Sequence, residues 1–401
     1  MNSFGDQPAC NSDLWPLDPS VDFLNHGSFG SCPRVVLEFQ AAVRERMERQ
    51  PVQFFVRDLE PLLDHARAEL ARFLGADMDD LVFVPNATAG INTVLRSLRF
   101  QRGDEVIVTD HEYNACRNAL HFIAERSTAR MVVAHVPFPL ETPGQIVEAI
   151  LRRVTSRTRL VLLDHVTSQT GLIFPVERLA RELAERGVET VVDGAHAPGM
   201  VPVNLRQLGV TYYTGNCHKW ICAPKGAGFL YVRRDRQKMI RPLVVSHGAN
   251  SPRTDRSRYL IEFGWTGTWD ASAYLTVPEA LKYVGSLVPG GWPEVMRRNH
   301  ALAVAGRNII CRALGIERPC PDDLIGSLAA IPISDATDKT PQKSPLYGDL
   351  LQEKLLHDYA IEVPIIPWPA APKRLLRISA QLYNRLAQYA NLAKALVQEL
   401  A

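Results

Sequence analysis

Seven short apolar runs between residues 81 and 232, separated by longer amphipathic stretches, constrain this chain more than any other feature. They are LVFV (81–84), EVIVT (105–109), RMVVAHV (130–136), RLVLLDHV (159–166), ETVVD (189–193), VTYYT (210–214) and GFLYV (228–232). Runs rich in Val, Ile and Tyr without polar alternation are what strands buried on both faces require. The stretches between them, such as GINTVLRSL, ACRNALHFIAER and VERLARELAERG, repeat apolar residues at steps of three and four, the spacing of a helix with one buried face. The expectation is an α/β lobe built on a seven-stranded, mostly parallel sheet covered by helices.

A chain of 401 residues is long for one core, and at about 150 residues per domain it should form two lobes. Helices are expected around 34–49 and 58–74, after an arm containing FLNHGSFG. Past the seventh strand, WDASAYLTVPEALKYVGSL opens a helical region that leads into a mixed lobe. The predicted division is an arm over 1–30 that joins the small domain, a large α/β domain over 31–290 and a small C-terminal α+β domain over 291–401. The Pro-rich, polar stretch 317–346 predicts short strands and a mobile loop.

Forty-five Lys and Arg against 43 Asp and Glu leave a net charge of +2, so a small molecule is expected as ligand rather than a nucleic acid or a membrane surface. The first 20 residues lack an apolar run with a basic start, and no stretch reaches about 18 consecutive apolar residues, so neither a secretory signal nor a membrane span is expected. The seven cysteines are odd in number and scattered, which predicts a reducing cytoplasm and no metal site. Cys217 and Cys222 read as loop or core thiols.

Ligands of open parallel sheets bind beyond the carboxyl ends of the strands. Those ends supply Asn86, Ala87 and Thr88; Asp110 and His111; Asp164, His165, Thr167 and Ser168; Asp193 and His196; and Thr214, Asn216, His218 and Lys219. VPNATAG opens a helix with small residues and a threonine, which suits a phosphate or an ordinary N-cap. Asp193 ends a buried strand, where a carboxylate is costly without a cation or strong donor. Lys219 has Trp220, Ile221 and Cys222 behind it and two tyrosines ahead, which predicts a partly buried amine whose charged form is disfavoured. One strand separates the two, so acid and amine should occupy neighbouring strand ends. Pyridoxal phosphate uses all three features: an amine for a Schiff base, a carboxylate at its ring nitrogen and a phosphate cup. A core lysine with a capping aspartate is the plainer alternative.

The strings FVPNATAGIN, VTDHEYNA, LDHVTSQTG, VVDGAHAPG, TGNCHKW, GTWD and LLRISAQLYN, in this order, resemble the class V aminotransferase family of pyridoxal-phosphate enzymes of fold type I, over nearly the whole chain. Within it, FLNHGSFG, DHEYNA and GNCHKWICAPKGAGFLYV look most like the isopenicillin N epimerase branch. The resemblance implies that Lys219 carries the internal aldimine, Asp193 pairs with the pyridine nitrogen and His111 stacks on the ring. It places His196 at the phenolic oxygen and gives the phosphate to Thr88, the backbone of Asn86 and Ala87, Asn216 and His218. Thr268 would reach the phosphate of a neighbouring subunit, which implies a homodimer with active sites at the interface. Arg377 matches the substrate-carboxylate arginine, and Asn25, His26 and Ser168 join it as substrate contacts.

The resemblance implies chemistry at Cα, or Cα and Cβ, of an amino acid through an external aldimine and a quinonoid, with Lys219 as general base. Epimerisation, β-elimination or C–S lysis, and transamination share these residues. Epimerisation also needs an acid on the opposite face, for which Tyr113 and His26 are candidates, or a mobile lysine. The cysteine of the family's desulfurases is missing from VPIIPWPAAPKRLLRIS, so persulfide chemistry by that route is not expected. A catalytically silent binding protein is the non-enzyme alternative, and retention of both Lys219 and Asp193 argues against it.

Overall fold

The structure, a computed structural model, describes residues 12–336 and 348–400. Residues 1–11 of the predicted arm, with Cys10, and the last part of the predicted mobile loop (337–346) lie outside the described residues. All seven predicted strands form: β1 Leu81–Val84, β2 Glu105–Thr109, β3 Arg130–Ala134, β4 Thr158–Asp164, β5 Glu189–Gly194, β6 Tyr212–Asn216 and β7 Gly228–Val232. They make one sheet in the order β1-β7-β6-β5-β4-β2-β3. Only β7 runs against its neighbours, the others pairing in parallel. Because β1 and β6 both oppose β7, the ends of β1, β2, β4, β5 and β6 open on one rim.

The covering helices follow the apolar spacing. In α1 Ala87–Ser97, Ile91, Val94 and Leu95 are buried, while α2 Asn114–Ser127 turns Cys116, Ala119 and Leu120 inward. A helix the apolar spacing leaves unmarked, α3 Pro143–Leu151, follows β3 and starts at a capping box of Thr142 and Gln145. The fourth crossover helix, α4 Val176–Ala184, buries Val176, Leu179, Ala180 and Leu183.

At the C-terminal side, Leu328–Ile333, Ile365–Pro367 and Arg374–Ser379 form a three-stranded antiparallel sheet with Arg374–Ser379 in the middle. The long helix Gly291–Leu314 and the last helix Leu386–Leu400 accompany it. The arm is tied to this part by a short parallel pairing of Asp22–Phe23 with Ile361–Glu362. No helix among the described residues is long and apolar enough to cross a membrane.

Close contact between α1 and the sheet fixes the first strand end against the sixth. A Cβ on Gly90 would lie 2.1 Å from Thr214 Oγ1, a hydroxyl already held by its bond to the Phe229 carbonyl. Gly90→Ala is therefore expected to lower unfolding free energy by about 1–3 kcal/mol, the usual cost of overpacking. Gly264→Ala, where an added Cβ meets nothing within 4 Å, should leave the denaturation midpoint near wild type.

Candidate active site

Lys219 follows β6 in a turn, and its amine is held by His196, which Trp220 holds in turn. Its Nζ lies 3.0 Å from His196 Nε2, and His196 Nδ1 lies 3.3 Å from the indole Nε1 of Trp220. An indole nitrogen only donates, so His196 Nδ1 is the acceptor and its hydrogen sits on Nε2. That Nε2–H points at Lys219, so the amine must accept, and an amine accepts only when uncharged. Burial first, and the Arg377 charge second, bring the Lys219 pKa down to about 8, the Asp193 carboxylate pulling the other way. The hydrogen-bond pattern is that of the neutral amine, and burial brings that form within reach near pH 8.

Asp193 ends β5, paired in the sheet with Thr214 of β6, one strand from the lysine. Its carboxyl is buried and accepts from the Ala195 amide at 2.8 Å and the Cys116 thiol at 3.1 Å. No ion pair with a basic side chain among the described residues satisfies it, and burial pushes its pKa up. Behind it lies a group that composition leaves unmarked. Glu112, Cys116 and Asp193 place their polar atoms within 4.8 Å of one another. Burial raises Glu112, Cys116 and Asp164 well above their ordinary values. The Glu112 charge adds to burial in raising Asp164, and the Asp193 charge does the same to Glu112. Asp193 is thus surrounded by groups held toward their neutral forms.

His111 follows β2 and is fully buried. Its Nε2 lies 2.9 Å from the Val136 carbonyl, which only accepts, so Nε2 carries the hydrogen and Nδ1 accepts from Thr170 Oγ1 at 2.8 Å. With both edges tied, the ring offers only its faces, and Trp368 packs edge-on against it at 4.8 Å between centroids. At the end of β1, Asn86 caps α1 through Ala89 N, and Ala87 N donates to Asn216 Oδ1 at 2.8 Å. The ordinary N-cap reading is thus realised, with Thr88 half-buried beside it. His218 donates through Nδ1 to the Ala227 carbonyl, and burial takes its pKa down to about 4. Thr268 stands apart, exposed in a bend between Trp265 and Trp269.

Arg377 comes from the middle strand of the C-terminal sheet and is buried. It donates to the Ser168 carbonyl and, at 2.9 Å, to Ser28 Oγ. Ser28 in turn donates to Asn25 Oδ1 at 2.6 Å. Ser28 is thus the arm residue in contact with the arginine, and Asn25 stands behind it. His26 is committed differently from the expectation of a substrate contact. Its Nε2 donates to the Lys219 carbonyl at 3.0 Å, its Nδ1 accepts from the Tyr383 hydroxyl at 2.8 Å, and burial lowers its pKa to about 3. It holds the backbone of the lysine. Gly30 of the same arm, at φ +71°, packs so closely that a Cβ would lie 2.3 Å from the His218 carbonyl.

These residues can hold a pyridine ring bearing an aldehyde and a phosphate. Asp193 lacks the cation that a protonated ring nitrogen would supply, Lys219 presents an uncharged amine, and His111 offers only a ring face. The arrangement fits pyridoxal phosphate.

Comparison with known proteins agrees. The family model described as "Aminotransferase class-V" matches residues 38–308. An isopenicillin N epimerase of Amycolatopsis lactamdurans is 36% identical over 394 residues, covering 95% of each chain. A probable chloroplastic L-cysteine desulfhydrase of Arabidopsis thaliana is 30% identical, covering 94% of this chain and 83% of its own. Among solved structures, a C-DES variant with glycine covalently linked to the PLP cofactor superposes with a TM-score of 0.76 at 22% identity, covering 94% of this chain and 96% of its own. The fold, the matched motifs and the family model together make this chain a member of the class V aminotransferase family, with pyridoxal 5′-phosphate as its cofactor.

Proposed function

We propose that the enzyme removes the Cα proton of an amino-acid substrate and returns it, in the manner of an isopenicillin N epimerase. The observation that carries the chemistry is the hydrogen-bond chain from Trp220 through His196 to Lys219, which leaves an uncharged amine one strand from a buried acid. Bound pyridoxal phosphate supplies an aldehyde for that amine and a ring that accepts the electron pair left at Cα. Asp193 would hold a proton on the ring nitrogen. Arg377, with Ser28 and Ser168 against it, takes the substrate carboxylate. Lys219, with its amine free beside the substrate, would take the Cα proton. Thr88, Asn216 and His218 serve the phosphate, joined by Thr268 of a second subunit in a homodimer.

A second reading, elimination of a β-substituent, rests on His26. An epimerase needs a proton donor opposite Lys219 or a lysine that moves between faces, and of the two donor candidates His26 is tied on both nitrogens to Tyr383 and the lysine backbone. Elimination needs only the one base. Incubation of the holoenzyme with a panel of amino acids in deuterated water separates the readings. Deuterium at Cα with inversion supports epimerisation, and release of a keto acid from a substrate with a β-leaving group supports elimination. A wild-type protein that exchanges no Cα proton and takes up no pyridoxal phosphate would sink both.

Arg377→Ala is expected to raise KM for the amino acid about 10–100-fold, the loss of a charge-assisted pair worth about 1.5–3 kcal/mol. Steady-state kinetics checks this, and kcat should change far less than KM if the arginine binds ground state and transition state alike.

A further inference from the structure

Trp220 is fully buried, and its indole N–H finds one acceptor, His196 Nδ1, at 3.3 Å. A buried N–H without a partner is costly, so packing fixes this bond in place. Gly199, at φ +87°, brings the loop carrying His196 so close that a Cβ there would lie 2.6 Å from the Trp220 carbonyl carbon. On its other side the indole rests against the His26 ring at 4.9 Å between centroids. The tryptophan is clamped between the loop after β5 and the N-terminal arm.

We infer that Trp220 is a positioning residue that acts through His196: its N–H locks the imidazole in the tautomer with hydrogen on Nε2. That hydrogen bonds the free amine of Lys219. With cofactor bound, the same Nε2–H is the donor for the phenolic oxygen, a step that rests on the function proposed above. The opposite tautomer would turn a lone pair toward Lys219, reward its ammonium form and leave the phenolic oxygen without a donor. A glutamine at this position always has an amide N–H to offer and needs no such lock. The requirement for an indole at 220 therefore exists only because 196 is a histidine.

Two measurements test this. The first is the tautomer of His196 in 15N-histidine spectra, with the signal assigned by its loss in His196→Gln. Wild type should show hydrogen on Nε2 alone, and Trp220→Phe should show both tautomers. The second is the rate at which cofactor-stripped protein captures added pyridoxal phosphate between pH 6 and 10, read by visible absorbance. Wild type should have its midpoint near the lysine value of about 8. In Trp220→Phe it should move up by about one pH unit, making capture at pH 7 about tenfold slower. Replacement of Trp220 by 3-benzothienylalanine, which keeps the ring shape and removes the N–H, should reproduce the shift. In a His196→Gln background, Trp220→Phe should add none. An unchanged His196 tautomer in both 220 variants would overturn the inference, as would the same shift in the glutamine background. Failure of wild type to capture the cofactor, with the tautomer locked as described, would instead overturn the function and leave the role of Trp220 standing.

Discussion

Lys219→Ala is expected to abolish the visible absorbance of lysine-bound cofactor and to lower turnover by at least about 10³–10⁴-fold. The substitution removes both the nucleophile that exchanges with substrate and the base that takes the Cα proton, and the base alone accounts for about 10²–10⁴. Folding should not suffer. The Lys219 pKa falls from 10.5 to about 8 in the folded chain, so between those values the unfolded state binds more protons and stability rises with pH. Below about pH 8 the folded state carries a disfavoured charge. Cofactor-free Lys219→Ala should therefore have a melting temperature at pH 7 no lower than wild type, and should lose the rise in stability from pH 8 to 10.5. A variant that simply unfolded would contradict this assignment of the lysine to chemistry over structure.

Asp193→Asn is the second large effect. Removing the carboxylate takes away the charge that holds a proton on the ring nitrogen, and with it the means of accepting electrons from Cα. Turnover should fall by about 10²–10³-fold, as when one preorganised electrostatic partner is removed. The asparagine oxygen can still accept from the Ala195 amide. Its neighbours also gain, since the Asp193 charge is among the causes that raise the pKa values of Glu112 and Cys116. Melting at neutral pH should hold or rise, while absorbance and single-turnover rates show the loss. Activity lost with stability kept is the signature that separates a catalytic acid from a structural cap.

What the sequence reveals divides along physical lines. Buried parallel strands advertise themselves as unbroken apolar runs, so all seven were legible, and the topological rule for strand ends then gathered Lys219, Asp193, His196 and His111. The helix Pro143–Leu151 left a different mark, the TPGQ capping box, which apolar spacing alone passes over. Other contacts join residues far apart in the chain: Ser28 with Arg377, His26 with Tyr383, Cys116 with Asp193. No local pattern carries such pairs. Trp220 was visible as a hydrophobic neighbour of the lysine, yet its role depends on which imidazole nitrogen faces it, and only coordinates supply that. His26 shows the converse: its place in the arm pointed to substrate, whereas the close approach of the arm to the turn after β6 gives it to the backbone of Lys219.

The central claim is that the amine at 219 is the group that joins the cofactor. Borohydride reduction of the holoenzyme followed by peptide mapping tests it directly. The reduced pyridoxyl adduct should lie on the peptide containing Lys219 and vanish in Lys219→Ala. An adduct on Lys225, or on any other lysine of the wild-type chain with Lys219 unmodified, would contradict it.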